Sequence, residues 1–423
     1  MAIVGIVAEF NPFHSGHLYH IERSRALAQA DGVVCVMSGD FVQRGDSAVF
    51  SKQVRAEAAA RSGADLVLEL PLPWALSSAE GFARGAVGLL GSLGIVTHLS
   101  FGSECGNLNA LRDVAEALLS PGADAAIRRA LDSGVSYAQA RQTAVEELAG
   151  EEAKLLETPN NILAVEYLKA LISQELPIRP LTVKRLGPAH DGAPACAAPP
   201  DAPDMDAVGE APGAGGETAS GRNFRSASAL RDMLAAGEDI SPYVPEYANL
   251  VLQDAMRRGL GPVTAECLET ALLSRLRLLG EDIYAHVPGA AEGLENRLCR
   301  AAWSEPTVSA VLEAAKTKRY AMSRLRRMLF CAALGVTEGL SDGLPPYARV
   351  LAVNERGREI LREMYGRATV PIVVKPAAIR ELGERCADIF TLGALAHDFY
   401  ALGYPALAAR RGGEDWRLSP VLV

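Results

Sequence analysis

The sequence has few features of a secreted or membrane protein. Its 423 residues include seven cysteines, and no two of them form a CxxC pair. An odd, dispersed set excludes a disulfide framework, is typical of free thiols and gives no support to a zinc site. No uninterrupted apolar stretch approaches the roughly 20 residues that cross a bilayer, and the start lacks the basic segment of a signal peptide. We therefore expect a soluble cytoplasmic protein with no membrane partner.

An excess of positive charge is also missing. The chain has 42 Lys and Arg against 51 Asp and Glu, a formal net charge of −9. This balance argues against a diffuse electrostatic attraction to nucleic acid, so we expect no DNA partner, and any RNA contact needs a local basic patch. The length predicts two or three domains.

The first half alternates strand and helix patterns. Short β-branched runs indicate strands that are buried on both faces, separated by helices of 10 or more residues. This order predicts βαβ units and a Rossmann-like parallel sheet, an α/β fold. The predicted strands are 3–8, 33–37, 66–70, 98–101 and 181–186. The predicted helices are 18–30, 52–62, 77–93, 108–119, a pair within 123–150, and 160–173.

The composition divides the rest of the chain. Residues 1–187 form the predicted Rossmann-like domain, and 188–222 is a Gly-, Ala- and Pro-rich stretch that we interpret as a flexible loop. Residues 223–244 resume a helix that completes the first domain. Helical patterns dominate 245–423, with a small mixed α/β piece near its end, built from segments at 348–353, 358–364, 370–374 and 386–402.

The segment from Phe10 to Leu18 carries the strongest chemical signal. It follows a buried strand and opens a helix, which is where open α/β sheets bind phosphates. Gly16 allows a phosphate to approach the backbone, and His14 and His17, one turn apart, can donate hydrogen bonds to it as its charge grows. The alternative is that the two histidines only cap the helix.

This segment resembles the HxGH signature of the nucleotidyltransferase superfamily, which is related to the HIGH class of aminoacyl-tRNA synthetases. The resemblance implies an ATP site in which a nucleophile attacks the α-phosphate, with His14 and His17 as catalytic residues. The partner motif of the superfamily, ISSTxxR, has a counterpart in Ser226–Arg231, although Ala229 departs from it. Ser226, Ser228 and Arg231 offer hydroxyls and a guanidinium to the outer phosphates. The alternative for this motif is an ordinary serine-capped surface helix.

A narrower resemblance covers nearly the whole chain. Segments in both halves are similar to bacterial tRNA(Met) cytidine acetate ligases. They are IVAEFNPFHSGHLYH at 6–20, MSGDFVQRG at 37–45, FGSE at 101–104, PNNIL at 159–163, VKRLG at 183–187, EGLENR at 292–297 and YARVL at 347–351. Each is weak alone, but the ordered set is specific.

The resemblance also implies which residues bind ATP. Gly102 leaves room for the adenine or ribose, an asparagine of the Asn160–Asn161 pair reads a base or sugar, and Arg185 neutralises phosphate charge. A turn glycine, a helix cap and a solvated arginine are the alternatives. Magnesium is expected to accompany the ATP. The implied stretch also contains Val7, Ala8, Glu9, Phe10, Asn11, Pro12, Phe13, His14, Ser15, Gly16, His17, Leu18, Tyr19 and His20.

Two departures from the family pattern concern the site. The 188–221 stretch is longer than usual in the family, and Asp40 stands where an asparagine is more common. In the same 37–45 segment, Gln43 and Arg44 face either the carboxylate substrate or the tRNA, unless the segment is a plain surface loop.

A local basic patch is present in the second half. Lys316, Lys318, Arg319, Tyr320, Arg324, Arg326 and Arg327 have no acidic residue between them, and we predict that they form one helical stretch. Such a helix follows phosphates and stacks a base on its tyrosine, or it is simply a solvated basic face. Arg297, Arg300 and Arg349 extend the predicted patch.

The family resemblance implies a ligase for elongator tRNA(Met). Acetate attacks ATP to give acetyl-adenylate, and N4 of the wobble cytidine then takes the acetyl group to form N4-acetylcytidine. Two alternatives remain open from the residues themselves. One is an adenylyltransferase of the pantetheine-phosphate or nicotinamide mononucleotide type, and the other is a tRNA-binding protein with a vestigial nucleotide site.

Overall fold

The computed structural model describes residues 1–185 and 223–423, so the predicted loop at 188–222 lies outside the described residues. Eight of the described strands form one sheet, in the order β10-β8-β5-β2-β1-β6-β7, with β9 beside β8. The strands are β1 (Ile3–Ala8), β2 (Gly32–Ser38), β3 (Phe41–Val42), β4 (Asp46–Ser47), β5 (Leu66–Leu70), β6 (His98–Ser103), β7 (Arg179–Lys184), β8 (Ala348–Val353), β9 (Ile372–Val373) and β10 (Val421–Leu422). The mostly parallel sheet confirms the predicted fold class.

The central strands bury both faces. In β2, Val34 and Val36 belong to one hydrophobic core, whereas Val33 and Cys35 belong to another on the opposite face. This alternation follows from the two-residue period of a strand. It also explains why these strands are continuous apolar runs in the sequence.

Helices cover both faces of the sheet. The helices are α1 (Ser15–Ala28), α2 (Lys52–Arg61), α3 (Leu72–Ala75), α4 (Ala79–Ser92), α5 (Leu108–Leu119), α6 (Ala123–Asp132), α7 (Tyr137–Ala149), α8 (Pro159–Ser173), α9 (Ala227–Ala235) and α10 (Glu246–Arg257). On one face, α4, α5 and α8 pack through residues such as Phe82, Leu111 and Leu168. On the other, α1 and α9 pack through Ile21 and Leu230.

The second half is mainly helical, as predicted. Its helices are α11 (Glu269–Leu278), α12 (Glu281–Ala285), α13 (Leu294–Ser304), α14 (Val308–Ala315), α15 (Met322–Leu334), α16 (Glu355–Tyr365) and α17 (Glu384–Ala401). Helices α11 to α15 and the end of α17 enclose a third core that also takes in Phe41 from the first half, whereas α16 packs on the sheet through Ile360 and Met364. The Phe41 ring lies 5.5 Å from Phe330 and 6.1 Å from Tyr400 between centroids. Burying one such ring contributes about 1.5–3 kcal/mol, so the hairpin of β3 and β4 is anchored in the helical core. None of the described helices is long and apolar enough to cross a membrane.

The segment at 348–353 does not belong to a separate piece, contrary to expectation. Strand β8 pairs antiparallel with β5 and extends the first sheet, while β9 and β10 pair parallel with β8. Because strand pairing is non-local, no periodicity in the sequence identifies this partner.

A buried charged cluster joins the two halves, and we define it as Asp40, Lys52, Glu69, Arg349, His397 and Asp415. Lys52 Nζ donates to Glu69 and Asp415, each at 2.8 Å. Arg349 donates to the same two carboxylates at 2.8–2.9 Å. Asp40 Oδ2 lies 2.7 Å from His397 Nδ1. The cluster has three carboxylates and three basic groups, so its charges can balance without water.

Candidate functional site

The chain turns sharply between β1 and α1. Phe10 has a left-handed backbone with φ of 47°, and its buried ring packs on Phe13 at 5.0 Å between centroids. This turn places His14 at the N-cap of α1 and His17 in the first turn. The segment therefore lies at the carboxyl end of a parallel strand and at a helix N-terminus.

The two histidines cap the helix together. Nδ1 of His14 accepts the Gly16 N–H at 3.0 Å, and Nδ1 of His17 accepts the His14 N–H at 3.2 Å. Their rings are 3.8 Å apart between centroids. The two histidines therefore do cap the helix, but capping accounts for only one nitrogen of each ring.

The other nitrogen of each ring is a hydrogen-bond donor. Burial lowers the pKa of His14 to about 3, and Arg185 and Arg231 add to the effect. Burial and the neighbouring His14 also lower the pKa of His17 well below its ordinary value. A neutral imidazole that accepts at Nδ1 carries its hydrogen at Nε2. Within the described part of the chain no partner bonds either Nε2, so two N–H groups remain for a ligand.

A cavity of about 1110 Å³ opens beside these histidines. It runs from the carboxyl ends of β1 and β6, past the N-termini of α8 and α9, to the helical half. Ligand pockets usually measure about 300–1,000 Å³, so the space suits a nucleotide together with part of a second substrate. The predicted site residues in its wall are Val7, Ala8, Glu9, Phe10, Asn11, His14, Gly16, His17, Tyr19, His20, Gly102, Asn160, Asn161, Arg185, Ser226, Ser228 and Arg231.

Four residues of the predicted ATP site lie outside this wall: Pro12, Phe13, Ser15 and Leu18. Phe13 is fully buried in the core, and Leu18 packs against the same core. Ser15 Oγ donates to the Tyr243 carbonyl at 2.9 Å. These residues fix the turn between strand and helix and do not form the cavity surface.

Glu104 organises the N-terminus of α8, a role that its short sequence motif does not reveal. Its Oε1 accepts from Asn160 Nδ2 at 2.6 Å, and its Oε2 accepts from the Asn161 N–H at 2.8 Å. Asn161 is 2 % exposed, and its Oδ1 accepts the N–H groups of Glu104 and Cys105. Asn160 Oδ1 instead lies 3.4 Å from Arg185 Nη1. Of the two asparagines, Asn160 is therefore the one whose side chain faces Arg185.

Gly102 leaves space beside the same arginine. A Cβ at this position would lie 3.4 Å from Arg185 Cγ, an ordinary van der Waals contact, so the protein itself leaves room for alanine here.

The motif at Ser226–Arg231 meets the first loop directly. Ser226 Oγ accepts the Ala229 N–H at 3.2 Å and caps α9. Arg231 Nη1 donates to the Asn11 carbonyl at 3.1 Å, and its Nη2 donates to Ser228 Oγ at 3.0 Å. Two motifs 220 residues apart in the chain thus share one cavity, as the predicted phosphate site requires.

The 37–45 segment is the end of β2 followed by the β3–β4 hairpin. The Gln43 N–H donates to Glu9 Oε1 at 2.7 Å, and Arg327 Nη1 lies 3.4 Å from the Gln43 carbonyl. Gly45, at φ of 75°, packs so closely on α15 that a Cβ would lie 2.4 Å from Arg327 N. Arg44 is exposed at the hairpin tip and lines the cavity. The hairpin therefore connects the histidine site to the helical half.

The predicted basic helix is wrong in its geometry. Helix α14 ends at Ala315 and α15 begins at Met322, so Lys316, Lys318, Arg319 and Tyr320 lie in the connection between them. Lys316 Nζ donates to the Tyr320 carbonyl at 3.0 Å, a bond that stabilises the turn. Only Arg324, Arg326 and Arg327 are on α15.

The patch also has an acidic neighbour from elsewhere in the chain. Glu292 forms an ion pair with Arg319 at 2.8 Å and accepts from the Tyr320 hydroxyl. The Arg324 guanidinium covers the Tyr320 ring at 4.7 Å, so this ring is already stacked on one face. Lys318 is exposed.

Arg349 does not extend the patch, contrary to expectation. It is 3 % exposed and is bound by Glu69 and Asp415 in the charged cluster. Its place on a fully buried strand excludes contact with a large ligand. Arg297 is exposed but donates to the carbonyls of Ala314 and Lys316.

Known proteins resemble this chain over its whole length. The family model described as HIGH Nucleotidyl Transferase matches residues 1–195 and 213–415. A protein named tRNA(Met) cytidine acetate ligase from Thermoanaerobacter sp. (strain X514) is 37 % identical over 96 % of both chains. The protein of the same name from Thermosipho africanus is 34 % identical over 100 % of both.

Solved structures agree with these sequence relatives. The crystal structure of Thermotoga maritima TmcAL bound with alpha-thio ATP has a TM-score of 0.88 to this chain, with 33 % identity. The apo form of the same protein has a TM-score of 0.89 with 32 % identity. Both comparisons cover 100 % of each chain.

Proposed function

Because this chain belongs to the HIGH nucleotidyl transferase family, and within it to the tRNA(Met) cytidine acetate ligases, we propose that it catalyses N4-acetylation of a tRNA cytidine. It activates acetate with ATP and transfers the acetyl group to the wobble cytidine of elongator tRNA(Met). The observation that carries this proposal is the pair of Nε2–H donors of His14 and His17 beside a large cavity.

ATP binds with its α-phosphate at the N-terminus of α1. The two imidazoles donate from Nε2 to the phosphate oxygens, and their neutral state avoids a charge that would have to be buried. Arg231, with Ser226 and Ser228, receives the outer phosphates at the start of α9. Gly102 and Asn160 contact the nucleoside end, and Arg185 beside them neutralises phosphate charge. Asn161 supports this wall through its bonds to the Glu104 and Cys105 N–H groups.

The first step forms acetyl-adenylate. An acetate oxygen attacks the α-phosphorus, and the bond to the bridging oxygen of pyrophosphate breaks. Negative charge grows on the non-bridging oxygens, where the two Nε2–H groups point. Arg44 on the hairpin lies on the same side of the cavity as Glu9 and neutralises the incoming carboxylate.

The second step needs access for a tRNA anticodon. The cavity reaches the helical half, and Lys318 and Arg319 offer exposed positive charge there for phosphates. Since the rest of the protein is acidic, contact is local and does not extend to duplex DNA. We expect the reaction to occur in the cytoplasm, where both tRNA and ATP are at hand.

Magnesium would reach the site with ATP. The described residues gather no group of three His, Cys, Asp or Glu side chains that could hold a metal, so phosphate oxygens and water would supply most of its ligands. The ion would offset phosphate charge, and no residue described above depends on it for its position.

The test is ATP–pyrophosphate exchange with and without acetate, followed by transfer of labelled acetate to tRNA. We expect exchange to require acetate and label to appear in N4-acetylcytidine of elongator tRNA(Met). Acetate-independent turnover with a phosphorylated metabolite would instead identify a small-molecule adenylyltransferase. Absence of any turnover would indicate a vestigial site.

A further inference from the structure

Part of the cavity wall comes from the helical half of the chain, and we call this part the helical lobe. It is formed by Thr264, Glu266, Glu269, Ser309 and Arg326. The hairpin residue Asp46 also lines the cavity. It is 3.8 Å from Arg326 on α15, and it interacts electrostatically with Arg231 on α9. Asp46 is thus close to charged side chains from both halves of the chain, Arg231 on α9 and Arg326 on α15.

The carboxylates of this region differ in how much of their hydrogen-bonding capacity is already used. Glu269 Oε2 accepts the Val308 N–H at 3.2 Å and caps α14. Glu266 is held in its own turn, where hydrogen bonds from the Thr264 side chain and its own backbone lower its pKa. Both glutamates therefore contribute mainly to the shape and charge of the lobe.

Asp46 has a free oxygen. Its Oδ1 accepts the Ser47 N–H at 2.9 Å, whereas the 3.8 Å between Oδ2 and Arg326 Nη1 is too long for a hydrogen bond. No described residue donates to Oδ2. Glu9 also lines the cavity, but it lies at the end of β1 on the histidine side and binds the hairpin through Gln43.

We propose that the cytosine ring of the tRNA enters the helical lobe and that Asp46 is the general base for acetyl transfer. This inference rests on the proposed function. N4 attacks the acetyl carbonyl carbon and forms a C–N bond. The tetrahedral intermediate then collapses, the C–O bond to the phosphate breaks, and AMP leaves with the electron pair. One N4 hydrogen passes as a proton to Asp46 Oδ2 and from there to solvent.

The charges of the lobe favour an amine-bearing base. Asp46, Glu266 and Glu269 can accept hydrogen bonds from N4, whereas the keto oxygen of a uracil would meet the same carboxylates without a donor. Burial raises the pKa of Asp46, although Arg326, the Ser47 N–H and Arg231 oppose this effect and Glu266 supports it. A carboxylate in this environment is a stronger base than an exposed aspartate.

The test separates the two steps in the full-length protein. Asp46→Asn keeps the size of the side chain and one acceptor oxygen but cannot take a proton. We expect acetate-dependent ATP–pyrophosphate exchange within about twofold of wild type and transfer of labelled acetate to tRNA reduced by about 100-fold or more. Glu266→Gln removes a carboxylate from the same lobe and should reduce transfer less than about tenfold.

Three results would overturn this role. Transfer by Asp46→Asn at the wild-type rate would exclude Asp46 as the base. An equal loss in Asp46→Asn and Glu266→Gln would indicate a general charge effect. Loss of exchange together with transfer would indicate a disrupted hairpin. Absence of acetate-dependent exchange in the wild-type protein would contradict the proposed function itself, and the role of Asp46 with it.

Discussion

His14 and His17 stack with 3.8 Å between ring centroids, and each Nδ1 accepts a backbone N–H of the turn they share. This relationship gives the two residues a structural role, and the proposed function adds a chemical one. The cap fixes the tautomer, and this tautomer leaves the Nε2–H of two residues that line the cavity for a ligand. Variants at these positions must therefore separate loss of the cap from loss of the donor.

Asparagine at position 14 makes that separation, because it is a good N-cap but has no donor at the Nε2 position. We expect His14→Asn to retain most of the stability of the wild type and to lose about 10²–10³-fold in acetyl-adenylate formation. His14→Ala and His17→Ala should lose similar activity. The measurement is acetate-dependent ATP–pyrophosphate exchange beside urea unfolding. The control is His98→Asn, because His98 lies at the end of β6 that is away from the cavity. Near-normal exchange by both His14→Asn and His17→Ala would contradict the assignment.

The buried histidines also predict how stability depends on pH. His14 has its pKa lowered from 6.5 to about 3, so between these values the unfolded chain binds a proton that the folded chain does not. The stability that neutral His14 contributes is fully present above pH 6.5. As the pH falls below that value, the free energy of unfolding decreases by up to about 1.4 kcal/mol per pH unit. Urea unfolding from pH 7 to 4.5 should show a smaller slope for His14→Asn than for wild type. Identical slopes would mean that His14 is protonated in the folded protein.

Gly45 is expected to be intolerant of a side chain. Any Cβ there would lie 2.4 Å from Arg327 N, whereas Gly237, with φ of 72°, has open space. Alanine at either position costs about 1–2 kcal/mol for the left-handed backbone, but Gly45→Ala should cost a further ~1–3 kcal/mol from the clash. It should also reduce acetyl transfer because the hairpin moves. Equal destabilisation by Gly45→Ala and Gly237→Ala in urea unfolding would show that the hairpin shifts freely.

Lys318 is the sharpest test of the proposed tRNA surface, because it is exposed while Arg319 is paired with Glu292. Lys318→Glu should weaken tRNA binding and flatten its dependence on salt, by up to about 0.7–0.9 in log–log slope for each phosphate that the side chain no longer neutralises. Exchange of pyrophosphate should not change. Arg128→Glu on α6 alters the net charge equally and should have little effect. An equal weakening of tRNA binding by both variants would indicate that only net charge matters.

The pair of Asp40 and His397 predicts a second pH effect. Burial disfavours a charge on each, yet their attraction lowers the pKa of Asp40 to about 2 and raises that of His397 above 6.5. The stability that protonated His397 contributes is therefore fully present below pH 6.5. It is lost as the pH rises through the pKa of His397 in the folded protein. Asn at position 40 can still accept from the Lys52 N–H and donate to a neutral His397. Asp40→Asn should lower the free energy of unfolding, measured with urea, more at pH 5.5 than at pH 8.5. A larger loss at pH 8.5 would contradict the ion pair.

The sequence predicts best those elements whose residues are buried on both faces. The strands at 3–8 and 66–70 have the predicted bounds because a continuous apolar run admits few other structures. The predicted strand at 181–186 is instead Arg179–Lys184, since its partly exposed side chains give a weaker pattern. The two-residue strands of the hairpin are too short to show a period.

Long-range contacts account for what could not be predicted at the site. No Gly or Pro interrupts the chain from Lys316 to Arg327, but Lys316 lies in a turn where its carbonyl accepts from Arg297 and its Nζ donates to the Tyr320 carbonyl. The roles of Glu104 and Asp46 depend on partners 56 residues or more away. By contrast, the His14–His17 pair is local, and a glycine between two histidines at a strand end is enough to predict it.

The antiparallel pairing of β8 with β5 sets an order for the synthesis of this protein. A ribosome releases the histidines, β1, β2 and β5 early, but the edge of β5 remains unpaired until residue 353 has emerged, and Lys52 lacks Asp415 for longer still. During that interval the nascent sheet exposes a hydrophobic edge, and the carboxylates of Asp40 and Glu69 lack their later partners His397 and Arg349, which is the condition under which chaperones bind. A fragment that ends before β8 would keep these defects permanently, so the nucleotide-binding half should aggregate when it is expressed alone.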